Sequence, residues 1–256
     1  MITSSNNAKV KQVVQWQTKA KERRKDHVFL AEGVRMCEEA PVKSVREVYL
    51  TEELEQKLRR NAQNGDTAFW DKLQQTGYET VSPEVFAKMA DTQTPQGILT
   101  VLEQPEPLFL ILENLQDPGN LGTMIRTGEG AGITGVIMNQ QTVDIFNPKT
   151  IRATMGSIFR VPFVYVPELS PVLTQMHERG IHTYAAHLKG QKYYDSFSFR
   201  EPTAFLIGNE GNGLTKEISD QAGQYLKIPM EGKVESLNAS IAAALLMYEA
   251  HRQRNL

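Results

Sequence analysis

Hydrophobic and polar positions alternate with two different periods along this chain, and the switches between them mark out its elements. Residues 6–25, NNAKVKQVVQWQTKAKERRK, follow a helical period. Val10, Val13, Val14 and Gln17 share one side, Lys11, Gln15 and Lys19 lie elsewhere, and Asn6 or Asn7 is placed to cap the start. DHVFLAEG reads as a short strand entering a second helix, GVRMCEEA. VREVYL is a strand, EELEQKLRRNAQ a charged helix, GYETVSPEVFAKMADT a strand, turn and helix, and GILTVLE a further strand. This alternation predicts a compact α/β unit of roughly a hundred residues.

Both periods stop at EQPEPL, where two prolines bracket an acid. A domain boundary is expected at Gln104–Pro107, dividing the chain into residues 1–104 and 105–256. LFLILENL then restarts as a continuous apolar run, the pattern of a strand buried on both faces. A second series follows: a helix from Asn120, strand GVIMNQ, a helix through IRATMGSIF, strand FVYV, helix SPVLTQMHERG, strands HTYAAHL and TAFLIG, helix TKEISDQAG, strand YLKIP and a final helix. The second domain is therefore predicted as a wound, mostly parallel sheet covered by helices.

Composition narrows the class. Hydrophobic residues make up 40% and charged residues 23%, as in a soluble globular protein. The longest apolar runs, such as Phe109–Leu112 and Ile241–Met247, are too short to span a bilayer, so no membrane partner is expected. MITSSNNAKVKQ has no apolar core for a secretory signal. A single cysteine, Cys37, permits no internal disulfide and fits a reducing cytoplasm. The net charge of −2 hides an asymmetry: residues 1–25 carry seven Lys/Arg against one acid, Glu22. Such a cluster is either a solvated helix face or a surface for polyanions.

Three stretches share one design, a hydrophobic strand running into a Gly/Asn/Glu-rich loop that opens a helix. They are LENLQDPGNLGTMIRTGEGAG (112–132), FLIGNEGNGLTKEI (205–218) and LKIPMEGKVESLNASIAAALL (226–246). In open α/β sheets such loops gather at the carboxyl ends of the strands, where ligands bind. GEGAG is not a dinucleotide fingerprint, because Gly128, Gly130 and Gly132 end a helix and precede a strand. No Gly-Lys-Ser/Thr closes a phosphate loop, no nucleophile elbow supports a triad, and the five histidines lack metal-ligand spacing. No metal is expected. His182 and His187 flank a strand end near the expected pocket, which leaves a minor ligand role open. What remains is Arg126 in an otherwise apolar helix, Glu210 enclosed by glycines, and Asn120, Asn209 and Asn238. Arg126 is either a ligand group or the structural partner of Glu129 or Glu210. A glycine-lined, amide-rich pocket suits a nucleoside, whose base edge main-chain groups can read.

Together these stretches resemble the SpoU/TrmH family of RNA 2′-O-ribose methyltransferases, of the knotted SPOUT superfamily. The first family motif resembles Asn120-Leu-Gly-Thr-Met-Ile-Arg126-Thr127. The second resembles Leu206-Ile-Gly208-Asn209-Glu210-Gly211-Asn-Gly213-Leu214, and the third Ile228-Pro-Met230 with Ser236-Leu237-Asn238-Ala-Ser240. The resemblance covers about residues 108–256. The first hundred residues are similar to an RNA-binding domain related to small ribosomal proteins, with a basic helix followed by Phe29, Glu32 and Gly33.

That resemblance implies an α/β fold with a deep trefoil knot in its carboxy-terminal parallel-sheet domain, a small amino-terminal α/β domain, and a homodimer formed through the knotted domain. It implies S-adenosyl-L-methionine as donor, held by Gly208, Asn209, Gly213, Ile228, Met230, Ser236 and Leu237. Arg126, Asn120, Glu210, Ser236 and Asn238 are the implied catalytic group. Arg126 is either the general base or the residue that positions phosphate and ribose, since a guanidinium keeps its proton below about pH 12. Lys9, Lys11, Lys19, Arg23, Arg24, Arg126 and Arg152 are the expected RNA contacts. The stripe Leu237, Ile241, Leu245, Tyr248 is expected to pack the last helix on the sheet. Ribosomal RNA is the expected substrate. Transfer RNA, an inactive assembly factor of the same fold, and a nucleotide-dependent oxidoreductase are the alternatives.

Overall fold

The computed structural model describes residues 1–234 and 236–255. Glu235, part of the polar run before the last helix, lies outside the described residues. The chain forms two compact units, Met1–Pro105 and Glu106–Leu256.

The first unit contains α1 (Ala8–Thr18), α2 (Ala20–Asp26), β1 (Val28–Glu32), α3 (Val34–Glu39), β2 (Val45–Thr51), α4 (Glu52–Gln63), α5 (Ala68–Thr76), β3 (Glu79–Val81), α6 (Pro83–Met89) and β4 (Ile98–Glu103). Its four strands run in the order β1-β4-β2-β3, with β4 antiparallel to both neighbours and β2 parallel to β3. The single amino-terminal helix expected from periodicity is broken. Lys19 is extended, and Arg23 of α2 donates to the carbonyls of Trp16 and Gln17, so it satisfies the open end of α1. Val10 and Val13 are buried as expected, but the third anchor is Trp16, whose indole N–H donates to Asp26 at 2.7 Å. Helix α5 was not anticipated. Its inward positions, Phe69 and Leu73, are too few to give a strong period.

The second unit contains β5 (Leu108–Leu112), α7 (Pro118–Ala131), β6 (Gly135–Asn139), α8 (Pro148–Thr154), β7 (Phe163–Val166), α9 (Ser170–Glu178), β8 (His182–Ala186), β9 (Lys192–Tyr193), β10 (Thr203–Ile207), α10 (Lys216–Gln221), β11 (Gln224–Lys227) and α11 (Ala239–Arg254). All strand pairs are parallel, in the order β7-β6-β5-β10-β8-β11-β9. Strand β5 is central and nearly all buried, as its unbroken apolar run requires. Strand β9, only two residues long, was not anticipated.

Helix boundaries follow caps more closely than apolar period. Helix α7 starts at Pro118, two residues before the expected Asn120, because the Asp117 side chain accepts the Asn120 N–H at 2.8 Å and proline suits the first turn. Helix α8 stops at Thr154 instead of running through Phe159, since Met155 and Gly156 both take positive φ. Gly122 lets α7 and α8 meet: a β-carbon there would lie 2.6 Å from the Thr150 carbonyl. The expected stripe of α11 is a correction. Ile241, Leu245 and Tyr248 are 50%, 37% and 49% exposed, while Ala239, Ala243, Leu246, Met247 and Ala250 are buried. Small side chains are the ones that let this helix lie close against α7 and β10. Its far end is pinned by Arg254, which donates to the carbonyls of Phe199 (2.7 Å), Glu106 (2.6 Å), Pro107 (3.2 Å) and Glu201 (2.7 Å).

Candidate active site

The three loops read from the sequence leave the carboxyl ends of β5, β10 and β11. The loop after β10 is the tightest. Asn209 and Gly213 exchange main-chain hydrogen bonds at 3.0 and 2.9 Å. The Asn209 side chain accepts from Gly211 and Asn212 and donates to the Asn114 carbonyl at 2.9 Å. Gly208 faces the returning chain, and a β-carbon there would overlap the main chain of Gly213 and Leu214. The exit of the loop is held by buried Glu113, whose carboxylate accepts the Thr215 N–H and O–H, both at 2.7 Å. Asn238 caps α11, accepting the Ser240 N–H at 2.8 Å, while Ser236 stays outside the helix.

Between the loops after β10 and β11 lies a cavity of about 330 Å³. Gly208, Asn209 and Gly213 from the second loop line it, as do Ile228, Met230, Ser236 and Leu237 from the third. Glu210 also lines it. Ala186, His187 and Leu188, at and after the end of β8, form a further wall, of which the sequence placed only His187 near the pocket. The topology explains them, because β8 lies between β10 and β11. The His187 ring stacks on Tyr225 at 4.8 Å. His182 sits at the opposite, amino end of β8, hydrogen-bonded to Glu201 at 2.8 Å, and does not line this cavity.

A side-chain relay ties the loops together beside the cavity. Glu210 accepts the Gln116 and Asp117 N–H groups at 3.1 and 2.9 Å and the Asn120 amide at 3.0 Å. The Asn120 oxygen accepts from Asn238 at 3.0 Å. Partial burial works to raise the Glu210 carboxyl. It is outweighed by the hydrogen bonds from Asn120, Asp117 and Gln116, which leave the group below the ordinary glutamate value. A depressed folded-state value means the relay's stabilisation is complete above about pH 4.5 and is lost as pH falls through the lower folded value. The folded protein should therefore lose stability as pH falls below about 4.5. Glu210→Gln should start less stable at neutral pH and lose the relay's share of that acid dependence, as thermal melting followed from pH 7 down to about pH 3 would measure.

Arg126 projects from α7, six residues after Asn120, and is exposed. Among the described residues it has no hydrogen-bond or ion-pair partner. The two carboxylates that could have paired with it are engaged elsewhere. Glu210 serves the relay, and Glu129 is gripped by Arg160, which lowers its carboxyl to about 2. Of the other expected RNA contacts, Lys11, Lys19, Arg24 and Arg152 are exposed, Lys9 pairs with Glu79, and Arg23 is committed to the helix junction. Among the described residues no group of three side chains could hold a metal ion.

Residues 107–248, more than half of the chain, match the family model described as the SpoU rRNA methylase family. The chain belongs to this SpoU family. Residues 7–100 match an MRM3-like substrate binding domain. One SpoU relative, the 23S rRNA (guanosine(2553)-2′-O)-methyltransferase RlmP of Bacillus subtilis, is 34% identical across 96% of this chain and 97% of its own. Among solved structures, the SpoU methyltransferase AviRb from Streptomyces viridochromogenes superposes with a TM-score of 0.56 at 27% identity, covering 97% of this chain and 98% of that one. An AdoMet-bound rRNA methyltransferase from Sinorhizobium meliloti gives 0.54 at 29% identity, with 98% and 97% coverage. The fold class is accordingly the α/β SPOUT class of SpoU methylases. No helix among the described residues is long and apolar enough to cross a membrane.

Proposed function

We propose that this SpoU protein transfers a methyl group from S-adenosyl-L-methionine to a ribose 2′-hydroxyl of ribosomal RNA. The observation that carries the reading is one arrangement: a cavity walled by the loops after β8, β10 and β11, an amide relay at its edge, and a guanidinium with no partner among the described residues on the helix which that relay anchors. The cavity fits the donor in size, about 330 Å³. Its lining includes the polar residues Asn209, Glu210, Asn212 and Ser236, and Gly208 lets the loop fold back on itself to form one wall. Main-chain groups near Gly208, Ile228 and Leu237 hold the adenosyl part, and Asn209, Gly213, Met230 and Ser236 complete the site. When bound, the donor supplies a methyl carbon made electrophilic by its sulfonium.

Arg126 draws in an RNA phosphate and turns the ribose hydroxyl toward the cavity. A guanidinium does not release its proton near neutral pH, so Arg126 positions the phosphate and the ribose while the hydroxyl proton leaves to solvent water. Glu210, Asn120 and Asn238 fix the helix from which Arg126 projects, and Ser236 orients the donor. Orientation of this kind is worth about 7–11 kcal/mol of a barrier. The first unit grips the RNA, with Lys11, Lys19 and Arg24, joined by Arg152 of the second unit, supplying exposed charge for phosphates. The protein works as a homodimer in the reducing cytoplasm. The apolar stripe Ile241, Leu245, Tyr248, half open to solvent, supports a second copy packed on the catalytic unit. Likeness to the Bacillus subtilis enzyme across nearly the whole chain favours a guanosine of the large-subunit ribosomal RNA.

Ribose methylation mapped across total RNA from cells with and without the protein tests this reading. One large-subunit 2′-O-methyl group that depends on the protein is expected. A change confined to transfer RNA would replace the substrate. Unchanged RNA, together with calorimetry in which NAD binds and S-adenosylhomocysteine does not, would overturn the reading.

A further inference from the structure

Asn139 ends β6, away from the cavity, and no part of the chemistry above uses it. It is a polar side chain only 7% exposed, and every contact it makes is specific. Its oxygen accepts the Asn114 N–H at 2.9 Å and the Thr142 O–H at 2.9 Å, and its nitrogen donates to the Asn114 side-chain oxygen at 2.7 Å. Asn114 is, among the described residues, one of three non-glycine residues at positive φ, 54°, a backbone state that costs about 1–2 kcal/mol in most residues and that asparagine tolerates best. The Asn114 carbonyl in turn accepts from Asn209 at 2.9 Å and from the Gln116 side chain at 3.1 Å. Two residues further on, Gln116 and Asp117 offer their N–H groups to Glu210, and Asp117 caps α7.

We propose that Asn139 is a positioning residue for the methyl-transfer reaction, holding Asn114 in its left-handed state and so fixing where α7, with Asn120 and Arg126, begins. The inference rests on the functional reading above and adds the residue that sets the acceptor side. The two halves of the site have different walls and meet at Asn209 and Glu210. The donor cavity is built from the loops after β8, β10 and β11, whereas the Asn139–Asn114 pair acts on the loop after β5. Loss of the pair should therefore displace the acceptor groups more than the donor, which the pair reaches only at second hand, through Asn209 and Glu210. A buried amide pair is suited to this task, because its two hydrogen bonds accept only one register of the strand ends.

The test uses the full-length protein, with methyl transfer to ribosomal RNA, calorimetry with S-adenosylhomocysteine and thermal melting read on the same preparations. Asn139→Ala removes both bonds to Asn114. Turnover should fall on the order of 10- to 100-fold, the loss expected of about 1 Å of misplacement, with donor affinity within about twofold of wild type. Asn139→Asp is the conservative rescue. Its oxygens still accept the Asn114 N–H, and the Asn114 amide can turn its nitrogen toward them, so turnover should stay within about threefold. Should Asn139→Ala fail to fold, Asn114→Asp and the double variant Asn114→Asp/Asn139→Asp replace it. The single variant keeps a donor facing an acceptor and should stay active, whereas the double variant sets two carboxylates face to face and should lose turnover. Full turnover in Asn139→Ala, or in the double variant, would overturn the proposal. So would a loss of donor affinity as large as the loss of turnover. A wild-type protein that transfers no methyl group sinks the functional reading itself, which keeps the two failures distinguishable.

Discussion

Arg126→Ala should lose methyl transfer on the order of 10²–10³-fold or more, the loss seen when one group aimed at developing charge is removed. The fold should hardly notice. Arg126 is exposed and has no partner among the described residues, so melting should shift by no more than about 0.5 kcal/mol of stability. Donor affinity should also survive, because Arg126 does not line the cavity. This pattern separates a reacting-side group from a structural one: a structural arginine would cost stability first and activity as a consequence. Arg126→Lys should recover only part of the loss, since an ammonium keeps the charge but lacks the planar fork that grips phosphate. Equal activity in Arg126→Ala would remove this residue from the mechanism.

Gly208→Ala should close the donor site. The added β-carbon would overlap main-chain atoms of Gly213 and Leu214, which cannot rotate aside as a flexible side chain could. The loop must open instead, breaking the Asn209–Gly213 main-chain bonds that shape the cavity wall. Overpacking of this kind costs about 1–3 kcal/mol of stability. A penalty of about 2.8 kcal/mol on the ligand-ready loop is a hundredfold in affinity. Gly211→Ala provides the control in the same loop, because its nearest contact would be the Asn209 side-chain oxygen at an ordinary 3.5 Å. Calorimetry with S-adenosylhomocysteine should show near-normal binding for Gly211→Ala and almost none for Gly208→Ala.

The contrast between these two glycines also marks how far the amino-acid sequence could be read. Two of the cavity loops, after β10 and β11, were legible because glycine and asparagine at the ends of apolar strands have few structural uses, and such ends gather on one side of a parallel sheet. The relay was not legible as a set of contacts. It joins Asn120 to Glu210 across 90 positions and to Asn238 across 118, and nothing local encodes such pairings. Asn139 carried no signal for the same reason: it reads as the polar end of a strand, and only the fold brings Asn114 to it. Helix α11 misled in a different way. The large residues Ile241, Leu245 and Tyr248 suggested the buried face, but close helix packing selects alanine, so the inward face is the less hydrophobic-looking one. Lys9 and Arg23 show the limit of counting charge. Both lie in the basic run, yet one is spent on Glu79 and the other on the carbonyls that end α1.

The most direct measurement is a crystal structure with S-adenosylhomocysteine bound. The account predicts its density within the cavity, touching main chain at Gly208, Ile228 and Leu237, with the guanidinium of Arg126, from the same or a second copy, beside the sulfur. Density anywhere else, with the three loops empty, would contradict it.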